Sequence, residues 1–147
     1  MKKFLKKYTS YPRSELLIIT LFTFIIFLVL EDITRTYNLF YYFPPIDIPL
    51  HLLSGVATTI GFFWLLSFSK RRNKKTFAFI YTCIVAILWE IIETVQELFI
   101  QNIDYLKDFF FWDGFFDIVF MIVGGVIGII ILKLLKEKTD MFNDIKI

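Results

Sequence analysis

The 147-residue chain has one cysteine and one histidine. Cys83 has no partner in the chain, which excludes an intramolecular disulfide and any multi-cysteine metal site. A small-residue cleavage site is missing after the first apolar run, so the basic start and that run predict an uncleaved first span rather than a signal peptide. No internal repeat and no separate soluble domain is visible. Basic residues are nearly missing from two of the inter-span loops, which contain only Arg35 and Lys107.

Apolar sequence is plentiful. Hydrophobic residues make up 57% of the chain, and the mean hydropathy is +0.67. Four apolar segments approach the ~20 residues that a helix needs to cross a bilayer. The expectation is an all-α polytopic membrane helix bundle with four transmembrane helices in one integral membrane domain, 1–147. The spans should cover about 14–31, 47–69, 76–100 and 113–135. Pro44-Pro45 does not continue a helix, and the aromatic stretch from Tyr37 to Phe43 suits a membrane interface. Asp47 before Pro49 reads as a helix start with proline in the first turn.

Fourteen of the 16 Lys and Arg lie in the N-terminal arm, the 70–75 loop and the C-terminal region. The positive-inside rule then places both termini and that loop in the cytoplasm of a multi-pass cell-membrane protein. The 31–47 and 101–112 loops face outward. The 70–75 loop is a topology signal, and nucleic acid is not an expected partner.

Against this background, carboxylates inside the spans stand out. An ionised side chain at the centre of a span costs about 2.5–3.5 kcal/mol on insertion scales. Glu90, Glu93 and Glu97 share one face of the third span. Asp47/His51 opens the second span and Asp113/Asp117 the fourth, each an i, i+4 pair on one face. His51, Glu93 and Asp117 fall at similar depth near the outer leaflet. The Asp117 face continues through Met121, Gly124 and Gly128, a small-xxx-small seam suited to close helix packing. His51 shares its face with Gly55 and Thr58. These faces predict an outward-open pocket walled by spans two, three and four, sealed below by small residues.

Carboxylates and an imidazole from several helices resemble the ligand set of a metal site in a bundle core. Oxygen donors suit Mg²⁺, Ca²⁺ or Mn²⁺, and the histidine admits Zn²⁺ or Fe. The candidate ligands are His51, Glu90, Glu93, Asp117, Asp47 and Asp113. Glu90, Glu93, Asp117 and His51 are also the candidate catalytic or acid/base groups. Without a metal, mutually repelling acids would carry protons or a cation. Plainer roles exist: Asp47 and Asp113 as helix N-caps, His51 as an interfacial histidine, Glu97 as a solvated surface acid, Glu31, Asp32 and Arg35 as an exposed charge cluster, and Trp89 and Trp112 as packing or anchoring groups.

Asp47-x3-His51-x3-Gly55, Trp89-Glu90-x2-Glu93 and Trp112-Asp113-x3-Asp117 with Gly124 and Gly128 resemble the pattern of YjdF-like bacterial inner-membrane proteins. A looser set, Asp47-x3-His51, Glu93-x2-Gln96 and Asp117-x6-Gly124, is similar to VanZ-like proteins, a family associated with glycopeptide resistance, although their Asn is replaced here by Met121. The resemblance covers roughly residues 47–130 and implies a polar intramembrane site without naming its reaction. The leading expectation is a small protein that binds a divalent metal ion and acts on a lipid or cell-envelope component. The alternatives are a proton or cation transporter or channel, and an accessory membrane subunit docking through its glycine seam. Expected partners are membrane lipids and either a second copy of the chain or another membrane protein.

Overall fold

The computed structural model describes the backbone of residues 13–101 and 107–145. Side chains are described for 14–96 and 112–136, apart from Tyr41, Pro44 and Asp113. The described chain is helical: α1 (Arg13–Thr36), a one-turn α2 (Leu39–Tyr42), a 3₁₀ turn at Pro44–Ile46, α3 (Asp47–Ser67), α4 (Lys74–Gln101) and α5 (Lys107–Ile145). Four stretches are long and apolar enough to span a membrane: Ser14–Thr36, Asp47–Ser67, Lys74–Gln96 and Gly114–Lys136.

The first span is longer than its apolar run. Glu31, Asp32 and Arg35, expected in a loop, are helical. Glu31 and Arg35 are spaced i, i+4 and form an ion pair at 2.5 Å, and a cation suits the negative end of the helix dipole. Thr20, Thr23 and Thr34 donate their hydroxyl protons to the carbonyls four residues earlier, so the helix satisfies its own polar side chains. The stop is Asn38, the one described non-glycine residue with positive φ, at 52°. Asn tolerates this left-handed conformation better than most residues. The 3₁₀ turn then feeds α3, whose N-cap is Ile46 and makes no side-chain cap, so Asp47 is a first-turn residue rather than a cap. Pro49 falls in the same turn, where its missing N–H costs no helical bond.

The central helix is α3, which packs against α1, α4 and α5, while α4 and α5 also pack on each other. Glycine sets the approach of α3 to α5. A Cβ on Gly55 would overlap the Met121 carbonyl and lie 2.9 Å from the Gly125 nitrogen. A Cβ on Gly124 would overlap the Leu52 carbonyl. The expected small-residue seam is therefore a backbone-to-backbone contact. Past it, towards the 70–75 loop, Leu16, Ile60, Phe63, Ala78 and Leu132 form the buried cluster. Thr59 and Thr82 bridge α3 and α4 there with a buried 2.8 Å hydrogen bond. Ile18, Leu21, Phe22, Ile25 and Leu28 on α1 are exposed, as a lipid-facing surface requires.

Candidate functional site

The polar residues gather at the other end of the bundle, where α1 and α4 finish and α3 and α5 begin. Their meeting follows from the seam: once Gly55 fixes α3 against α5, the side chains one turn nearer that end, His51 and Asp117, face each other. His51 Nε2 lies 3.2 Å from Asp47 Oδ1 on its own helix and 3.5 Å from Asp117 Oδ1 on α5. The His51 and Asp117 side chains are each 13% exposed. Donor atoms of Asp47, His51 and Asp117 all lie within 4.8 Å of one another. Two ligands each about 2.1 Å from one ion stand about 3–3.5 Å apart at tetrahedral or adjacent octahedral positions, and both His51 distances fall in that range.

The expected ligands divide into groups. Asp47, His51 and Asp117 come together. Glu93 turns towards α1: its Oε2 accepts a 3.0 Å hydrogen bond from Trp89 Nε1, and its Oε1 lies 3.6 Å from an Arg35 guanidinium nitrogen. Trp89 therefore positions an acid as well as packing. Glu90 points at α5, where its carboxyl occupies the space a Cβ on Gly114 would take. The side chains of Glu97 and Asp113 lie outside the described residues.

A cavity of about 640 Å³ joins these groups. Its walls include α1, in addition to the three spans expected: Phe24, Phe27, Glu31 and Arg35 line it together with residues of α3, α4 and α5. Arg35 is exposed, as expected of a charge cluster, but it and Glu31 also belong to the site. The signal for them was the i, i+4 spacing of opposite charges directly after an apolar run. Among the described residues, five carboxylates (Glu31, Asp47, Glu90, Glu93, Asp117) face the cavity against one guanidinium and one imidazole. Such an excess attracts cations. Phe24, Phe27, Leu50, Val85 and Met121 give it an apolar wall, beside the uncharged polar Asn38, Ser54 and Thr58. The arrangement can hold a metal at one corner, exchange protons at Glu90 and Glu93, and accommodate hydrocarbon beside both.

The chain matches the family described as predicted membrane protein (DUF2238) over residues 2–138, and it belongs to that family. This is the YjdF family, so the likeness seen in spans two to four extends through the first span. No curated protein and no solved structure matches the chain.

Proposed function

We propose that this DUF2238 member binds one divalent metal ion through Asp47, His51 and Asp117 and acts on an amphiphilic lipid or envelope component at the outer leaflet. The observation that carries the reading is the convergence of three donor atoms within 4.8 Å, from two helices, inside a cavity with apolar walls. Three protein ligands leave coordination positions for substrate or water. A bound metal would supply charge neutralisation and, in a hydrolytic version, an activated water. Glu93, held by Trp89 and Arg35, and Glu90 are the acid/base groups of this reading. The basic-residue bias supports an outward-facing site.

A transporter needs a polar path through the rest of the bundle. No Asp, Glu, Lys, Arg or His occurs in 16–30, 52–69, 76–89 or 118–132, the stretches beyond the site. That favours a closed site over a conduit.

The test is elemental analysis of protein purified without chelator, then exposed to Mn²⁺ or Zn²⁺ and desalted. About one metal per chain is expected in the wild type, and none in Asp117→Ala or His51→Ala. Equal metal content in all three proteins, or none in the wild type after re-addition, rules the reading out.

A further inference from the structure

The cavity is bounded on one side by two helices that are not packed on each other. α1 packs along α3, and α4 along α3 and α5, but α1 and α4 share no comparable packed face among the described residues. Their facing side chains nevertheless line one cavity: Phe24 and Phe27 from α1, Val85 and Trp89 from α4. At the lipid-facing mouth, Phe24 and Trp89 are each 47% exposed. About three turns along α1 from Phe24 and one turn along α4 from Trp89, the Arg35–Glu93 pair crosses the gap, with Arg35 outermost at 60% exposure. An apolar cleft therefore opens from the bilayer and ends under a polar rim, next to an interior rich in carboxylate.

We propose that this cleft admits a zwitterionic, amine-bearing phospholipid from the membrane. One acyl chain lies between Phe24/Phe27 and Val85/Trp89. The phosphate meets Arg35 at the rim, and the ammonium turns inward to Glu90 and Glu93. Charge complementarity selects this headgroup. Among the described residues the cavity's one guanidinium, Arg35, stands at the mouth in contact with Glu31 and Glu93, and Glu90 stands behind them, so a headgroup with its phosphate outside and its cation inside matches both signs of charge. A purely anionic lipid would leave the carboxylates unmatched. The aromatic rings near the acids add favourable contacts for an ammonium. The proposal rests on the amphiphile reading of this cavity and not on the metal.

The experiment measures binding of soluble short-chain probes to the full chain in detergent by calorimetry: dihexanoyl phosphatidylethanolamine, dihexanoyl phosphatidylglycerol and O-phosphoethanolamine. The ethanolamine lipid is expected to bind about tenfold more tightly than either of the others. Glu93→Gln should erase its advantage over the glycerol lipid. Phe27→Trp, which fills the cleft, should erase its advantage over phosphoethanolamine; Val85→Phe serves if that variant does not fold. Equal affinity for the two lipids overturns the headgroup assignment. Equal affinity for phosphoethanolamine and the lipid overturns the cleft, and no binding of the ethanolamine lipid overturns both. Metal content measured on the same preparations separates this outcome from failure of the metal reading: lipid preference without metal, and metal without lipid preference, are different results.

Discussion

The two ends of the bundle are built from the same four helices and packed in opposite ways. Towards the 70–75 loop, Leu16, Ile60, Phe63, Ala78 and Leu132 leave almost no surface, and the two buried threonines there are hydrogen-bonded. At the other end, the helices stand around a cavity lined by five carboxylates. The contrast shows where cohesion resides. In lipid, helices associate through packing and hydrogen bonds rather than through burial from water, so the tight end holds the bundle and the open end is free to carry costly groups. Gly55, Met121 and Gly125 form the boundary between them.

The strongest way to break this comparison is at the boundary. Gly55→Leu should abolish folded protein, because its side chain would meet the Met121 carbonyl, which is backbone and cannot rotate away. Gly55→Ala should cost about 1–3 kcal/mol by overpacking. Gly61→Ala is the control: its Cβ would meet only the Thr20 methyl, at 3.1 Å, so its thermal midpoint in detergent should fall less. Equal midpoints for the two alanine variants would mean that α3 and α5 are not held at the seam.

The next effect sharpens the contrast, since the open end should gain stability only from what it binds. At a metal concentration 100 times the dissociation constant, wild-type protein should gain about 2.7 kcal/mol, seen as a raised thermal midpoint. Asp117→Asn should gain none, its midpoint being the same with metal as in chelator. At the tight end, Leu132→Ala should cost about 2 kcal/mol with or without metal, the low end for a cavity because lipid is itself apolar. A metal-dependent cost at Leu132 would show that the two ends are coupled.

Sequence carried much of this because helical periodicity is strict. The i, i+4 pairs placed Asp47 and His51 on one face and aimed Asp117 with its glycines, and both faces turned inward as read. Periodicity fixes a face but not its partner. Glu90 and Glu93 share a face, yet one carboxyl goes to Gly114 on α5 and the other to Arg35 and Trp89. That division depends on how α4 is rotated between its neighbours. The role of α1 was missed for a different reason. Hydropathy ends at Leu30, but the helix continues through charged residues paired along one face until Asn38 turns the backbone left-handed.

The smallest predicted effect is that of Thr59→Val, and it depends on which hydroxyl of the Thr59–Thr82 bond donates. Thr82 Oγ1 lies 3.0 Å from the Ala78 carbonyl, to which it gives its single proton, so Thr59 is the donor across the 2.8 Å bridge. Thr59→Val therefore removes a donor and leaves Thr82 still bonded to Ala78. Its cost should be about 0.6 kcal/mol, the average for hydrogen bonds between helices in a membrane. Thr82→Val removes the acceptor instead and leaves a fully buried Thr59 proton without it, so it should cost more, about 1–3 kcal/mol. The order of the two unfolding midpoints in detergent decides the assignment. If Thr59→Val is the more damaging, the proton runs the other way and Ala78 does not hold the Thr82 hydroxyl. If both are neutral, van der Waals packing alone closes the tight end.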